Sequence, residues 1–197
     1  MIAVPLSDKE LDMVFERASS RNRVKVYGGV RTKKIAPRAG DVEIHYIGLK
    51  AELALAKLLD LEVNWEHTLQ GDGHKDFLLL DKVSVDVKSS RRDLFMCPDC
   101  LKADMAILAN PLTSPAHDKD GNIVVPRKDP RVKTKRDLFG WADVFFVGWT
   151  GNKRFRQLAK RTNFGYGPLL LMQREQLLPM DRVVDGVRKW KEGNEQA

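Results

Sequence analysis

Asp76-Phe77-Leu78-Leu79-Leu80-Asp81-Lys82-Val83-Ser84-Val85-Asp86-Val87-Lys88 is the stretch whose reading decides the fold. Two runs of β-forming residues flank the polar pair Asp81-Lys82, so strands are expected over 76–80 and 83–89. Side chains alternate faces along a strand. Asp86 and Lys88 therefore share one face, and Val83, Val85 and Val87 the other. Directly opposed residues of an antiparallel pair point the same way. A two-residue turn would set Asp76 against Val87 and aim it away from Asp86. An odd-length loop or a bulge would set Asp76 against Lys88, Phe77 against Val87 and Leu79 against Val85. A slip of one residue exchanges the faces of a strand, so apolar matching selects the second arrangement. The expectation is an odd loop or bulge, with Asp76, Asp86 and Lys88 on one face.

Two carboxylates and an ammonium grouped in this way suit phosphodiester hydrolysis. Carboxylate oxygens are hard ligands, and Mg²⁺ takes one or two of them together with water and substrate phosphate. A metal there would polarise the phosphoryl oxygens and acidify a bound water. Lys88 would orient that water or offset charge developing in the transition state. Upstream, a helix is expected from Ile47 to Asp60. Leu49, Glu52, Leu53 and Ala56 fall on one side of it, which places Glu52 near the buried face. A carboxylate there is costly without a partner. Glu52, Asp76, Asp86 and Lys88 are thus the candidate catalytic residues. Asp76, Asp86, the Val87 carbonyl and Glu52 are the candidate ligands for Mg²⁺ or Mn²⁺. An Asp-x-Lys sequence alone is weak, since most such pairs are surface salt bridges.

The order Glu52, Asp76, Asp86-Val87-Lys88, in a helix–strand–strand–strand context, resembles the PD-(D/E)XK nuclease superfamily, the restriction-endonuclease-like fold. The resemblance spans residues 45–110. Gly148-Trp149, and Gly165-Tyr166-Gly167 leading to Leu178-Pro179-Met180, look like the C-terminal halves of small phage and bacterial members. Lys75 stands where the family often has proline, Asp86 where glutamate is commoner, and Arg91–Lys102 is short for the family's second core helix. The resemblance implies an α/β fold with a central mixed β-sheet flanked by helices. It also implies an Mg²⁺- or Mn²⁺-dependent endonuclease acting on duplex or branched DNA, with junction resolution as a specific form and a homodimer as a familiar arrangement. One rival is a non-catalytic nucleic-acid-binding protein on the same fold, with Lys88 in a structural salt bridge. Another is an assembly component that uses a basic surface to hold a protein partner.

Charge points the same way. Lys plus Arg is 34 against 27 for Asp plus Glu, a net +7. Seven basic residues and no acidic one fall between Arg21 and Gly40. Further clusters are Arg127 to Arg136 and Lys153, Arg154, Arg156, Lys160 and Arg161. Clustered like charges repel, and a polyanion relieves them by releasing its counterions. Lys33, Lys34, Ser90, Arg91 and Arg92 are the candidate DNA contacts. At 43 % hydrophobic residues the chain can build a core, and no apolar run is long enough to span a bilayer. Met1–Glu10 lacks a signal peptide's basic start and apolar stretch, so a cytoplasmic location is expected.

The organisation expected for residues 1–197 is a single nuclease domain. Residues 1–20 form an N-terminal helix opened by a capping box at Ser7 and Glu10, and 21–40 a basic arm in loop or hairpin form. Residues 45–110 form the catalytic core, 110–141 an insertion or flap, and 142–197 a C-terminal strand and helices. Strands are expected at 62–68, 103–109, 143–149 and 169–172, a basic helix at 153–161 and a last helix at 181–191. Trp149 is expected to be buried. Cys97-Pro98-Asp99-Cys100 has the spacing of half a zinc site, with His45, His67, His74 or His117 to complete it. Four ligands are needed and no second pair exists, so two unpaired thiols are preferred.

Overall fold

Ser7 opens the first helix as its sequence dictates. Its hydroxyl accepts the Glu10 N–H at 3.3 Å, and the Glu10 carboxylate accepts the Ser7 N–H at 2.6 Å. The helix, α1, spans Asp8–Tyr27 and buries Leu11, Val14 and Ala18. It therefore takes in the start of the expected basic arm. Arg21 to Tyr27 is helical without an apolar stripe, and Val26 is 63 % exposed. That missing periodicity is why the segment reads as a loop.

The computed structural model describes residues 1–29, 40–63, 65, 75–98, 102–111, 116–117, 123–124, 129–130, 140–163 and 167–194. Helix α2 spans Asp41–Leu59, beginning ahead of the expected Ile47. The Glu43 carboxylate accepts the Gly40 N–H at 2.5 Å, which satisfies a donor at the helix start. Residues 62, 63 and 65 are not in a strand, contrary to expectation, and the rest of 62–68 lies outside the described residues.

Strands β1 (Ile2–Val4), β2 (Phe77–Leu79), β3 (Val83–Ser89), β4 (Leu94–Met96), β5 (Met105–Asn110), β6 (Ala116–His117), β7 (Ile123–Val124) and β8 (Val144–Gly151) follow in chain order. Helix α3 (Asn152–Leu158), β9 (Lys160–Asn163), β10 (Pro168–Met172) and α4 (Asp181–Asn194) complete the chain. The main sheet has the order β1-β8-β5-β3-β2, and a smaller one the order β4-β10-β9. In the main sheet β3 and β5 are parallel and the other pairs antiparallel, so the fold is mixed α/β. The connection between the parallel strands carries β4, a strand that sequence did not suggest. The expected basic helix at 153–161 is two elements: α3 stops at Leu158, and Lys160 and Arg161 enter β9. Two strands, β6 and β7, form a hairpin within the insertion.

The two faces of the main sheet have separate cores. On one, Phe77, Leu79, Val85, Val87, Ile107 and Phe146 pack with buried residues of α1, α2 and α4. On the other, Ala106 and Leu108 pack with Leu94, Met96, Phe155 and Met172 from the small sheet and α3. Asp86 is registered beside Ala106, and Lys88 beside Leu108. Both therefore project toward the small-sheet side.

The hairpin has the odd loop that apolar matching demanded, Leu80-Asp81-Lys82. Leu80 and Asp81 both take positive φ, at 54° and 55°, and the Lys82 N–H closes the turn on the Leu79 carbonyl at 3.1 Å. The register differs by two residues from the one expected: Phe77 opposes Val85, and Leu79 opposes Val83. A shift of two keeps every side chain on its face, so the apolar match survives with a tighter loop. Trp149 is half-buried instead of buried. Its ring N–H donates to the Pro179 carbonyl at 3.2 Å, and its backbone forms a bridge with Leu178. Among the described residues no helix is long and apolar enough to cross a membrane.

Candidate active site

Strand β3 lies between β2 and β5, which buries Asp86 to 2 % exposure. Two residues on, Lys88 returns along the same face and sets its Nζ 2.6 Å from Asp86 Oδ1. The lysine side chain remains 31 % exposed, so the pair runs from the sheet interior to solvent. A buried carboxylate needs such a partner to stay ionised.

Asp76 immediately precedes β2. Its backbone N–H donates to the Val85 carbonyl at 2.8 Å, and its Oδ2 accepts the Val87 N–H at 2.6 Å. The Val87 side chain is buried in the helix-side core. Burial pushes the Asp76 carboxyl well above the ordinary carboxylate range, and the negative charges of Glu52 and then Asp86 add to the rise. The Val87 hydrogen bond and the Lys88 charge oppose it without cancelling it. Asp76 thus senses Glu52 on α2, which covers one face of the sheet, and Asp86 on the other face. The position at the head of an edge strand lets one carboxyl feel both.

Asp76 in this way lies within electrostatic reach of Glu52, Asp86 and Lys88. Among the described residues, no three His, Cys, Asp or Glu side chains already form a cluster able to hold a metal ion. Mg²⁺ does not need three, since one or two carboxylates with water and phosphate suffice. An all-oxygen set in which Glu52 and Asp86 raise the proton affinity of Asp76 suits a hard cation, which would relieve that repulsion. Asp76 and Asp86 are the residues that would hold it, with Glu52 beside them.

The other candidates are more scattered. Arg91 and Arg92 are exposed just beyond Lys88. The Ser90 hydroxyl accepts the Arg92 N–H at 3.3 Å, so it shapes the turn that presents them. Lys33, Lys34 and His74 lie outside the described residues. The unpaired-thiol reading is corrected: Cys97 is disulfide-bonded. The one other cysteine in the sequence, Cys100, lies outside the described residues. Two cysteines are too few for a disulfide scaffold, but a single bridge needs no scaffold. A sulfur in a disulfide has lost the thiolate that binds zinc.

Two polar arrangements were not foreseen. Lys50 and Asp129 are fully buried with Nζ 3.6 Å from Oδ2. The Tyr46 hydroxyl donates to the same Asp129 oxygen at 2.5 Å, and Lys50 Nζ donates to the Trp141 carbonyl at 2.8 Å. Tyr46 and Lys50 are one helical turn apart on α2, and together they tie Asp129 and Trp141 of the insertion to that helix. A lysine inside an apolar helix was the available signal. The second arrangement joins Ser84 on β3 to Asp104 ahead of β5, with the Asp104 carboxylate accepting the Ser84 hydroxyl at 2.6 Å and its N–H at 2.9 Å. These bonds hold the Asp104 carboxyl below the ordinary range.

No family model, curated protein or solved structure matches this chain. Its function is therefore read from its own residues.

Proposed function

We propose that this chain is an Mg²⁺- or Mn²⁺-dependent deoxyribonuclease of the PD-(D/E)XK kind, an endonuclease acting on duplex or branched DNA. The observation that carries the proposal is the convergence at Asp76. One buried carboxyl feels two further acids, while Lys88 lies against the innermost of them. A purely structural ion pair accounts for Asp86 and Lys88, but it does not account for placing Glu52 and Asp76 within their field.

Each residue has a part. Asp86, fixed on a central strand, and Asp76, fixed by the Val87 N–H, are rigid oxygen donors; rigidity is what a catalytic constellation requires. Glu52 raises the local negative potential from the helix side. Lys88 carries its charge from the buried carboxylate toward solvent, where it can meet a phosphate oxygen or orient a water. A divalent cation, when bound, supplies the Lewis acidity that polarises the phosphodiester. Exposed Arg91 and Arg92 would contact phosphates of the bound DNA.

The second reading is a non-catalytic DNA-binding protein. It is favoured by the 2.6 Å contact between Lys88 and Asp86, which is already a closed ion pair. Incubation with supercoiled, linear and four-way-branched DNA in Mg²⁺, Mn²⁺ or EDTA separates the two. Metal-dependent cleavage of any of these substrates supports the nuclease. Salt-sensitive binding with no cleavage supports the binding protein.

A further inference from the structure

The segment from Val144 to Arg174 contains six basic residues and no acidic one. Folding does not disperse them. Lys153, Arg154 and Arg156 are exposed on α3, and Lys160 and Arg161 are exposed on β9, the edge strand of the small sheet. Lys153, Lys160 and Arg161 make no ion pair among the described residues, and Arg154 donates to a neutral group, the Gln176 carbonyl, at 3.0 Å. Arg156 donates to the Asn152 side-chain oxygen at 2.8 Å, and the charges of Lys153, Arg154, Lys160 and Arg161 are not matched by an acid among the described residues.

The ledge is also on the side of the molecule that matters. Phe155 of α3 and Met172 of β10 pack with Ala106 and Leu108, which are registered beside Asp86 and Lys88. Leaving Lys88, the chain passes exposed Arg91 and Arg92 and enters β4. From there β10 leads to β9, with Phe95 opposite Leu171 and Leu171 opposite Lys160. Lys160 is thus level with Phe95, the middle of β4, and two strand spacings away, on the order of 10 Å. Arg91 and Arg92 of the turn, followed by half-buried Asp93, and Lys160 and Arg161 of the edge strand flank the small sheet on either side of β4 and β10.

Resting on the nuclease reading, we infer that the α3–β9 ledge binds the phosphodiester backbone of the nucleic acid outside the cleavage site. Binding of this kind is electrostatic, independent of sequence, and steep in salt. Lysines also protect open strand edges from pairing with other chains, and that alternative predicts no effect on DNA affinity.

The test is fluorescence anisotropy of labelled duplex and single-stranded DNA in EDTA over a salt series. Wild type is compared with Lys153→Gln/Lys160→Gln/Arg161→Gln. A charge-matched control, Lys9→Gln/Arg188→Gln/Lys189→Gln, carries the same loss on exposed positions of α1 and α4. The ledge variant should lower the slope of log K against log salt by about 3, roughly one per phosphate contact, while the control leaves it near wild type. Equal slopes for ledge variant and control overturn the ledge and leave the nuclease reading intact. Absence of DNA binding by wild type overturns both.

Discussion

Val87 donates its backbone N–H to Asp76 Oδ2 at 2.6 Å across the β2–β3 hairpin. The bond fixes a carboxyl that burial, Glu52 and Asp86 all drive toward its neutral form. Asp76 in the folded chain binds its proton more tightly than in the unfolded chain, where carboxyls titrate near about 3.9. Stability from this group is therefore fullest below that value and is lost as pH rises through the raised folded value. Asp76→Asn removes the charge and keeps an acceptor for Val87. Its melting temperature should exceed that of wild type at pH 8, by about 2–4 °C for each kcal/mol recovered, and the gap should close toward pH 4. A gap independent of pH would contradict the origin given for the shift.

The same carboxyl cluster predicts a metal response that does not depend on cleavage. Mg²⁺ or Mn²⁺ at about a hundred times its dissociation constant should stabilise wild type by about 2.7 kcal/mol, since it binds only the folded chain. EDTA should abolish the effect. Asp86→Asn should lose most of it, because the buried donor has lost its charge. Thermal unfolding with and without metal measures this, and equal shifts in both proteins would remove Asp86 from the metal site.

The pair Lys50 and Asp129 predicts a large stability effect remote from the chemistry. Lys50→Met leaves a buried carboxylate with Tyr46 as its donor, at a cost of about 3–5 kcal/mol. Tyr46→Phe removes one hydrogen bond to a charged group, for about 1.5–3 kcal/mol. Replacing both charges together, Lys50→Met with Asp129→Leu, should cost less than Lys50→Met alone. Urea denaturation of the three variants tests the ordering.

Gly148 predicts a packing defect. A β-carbon there would lie 2.7 Å from the Leu178 carbonyl oxygen and 2.8 Å from Leu177 Cβ. Close approach lets β8 bridge to Leu178, with N–H to carbonyl distances of 2.9 and 2.8 Å. Gly148→Ala should destabilise by about 1–3 kcal/mol, readable as a lowered urea midpoint.

How much of this was legible follows from the range of each interaction. The capping box at Ser7 and Glu10, the alternation of β3 and the odd hairpin loop are local, and sequence placed them. Gly148-Trp149 and Leu178-Pro179-Met180 are distant in sequence, and the fold brings them together. The exact hairpin register was missed because matching faces fixes only its parity, and two registers of equal parity differ in loop length alone. Lys160 and Arg161 read as a continuation of a basic helix, but they pair with β10, a contact that their own spacing does not announce. Asp129 lies 83 residues from Tyr46, and its partner could not be inferred from either end. Of the candidate site, the grouping of Asp76, Asp86 and Lys88 was readable from strand alternation. The reach of Glu52 to Asp76 depends on how α2 crosses the sheet, which only packing determines.

The central claim is that Asp86 and Lys88 serve cleavage and not merely the fold. Single-turnover cleavage of a duplex by wild type, Asp86→Asn and Lys88→Met in Mn²⁺, with DNA affinity measured in parallel, tests it most directly. Loss of cleavage by about 10²-fold or more in both variants, with affinity near wild type, is the predicted result, as expected for groups that act on developing charge. Cleavage that persists in both variants, or is absent from wild type, would contradict it.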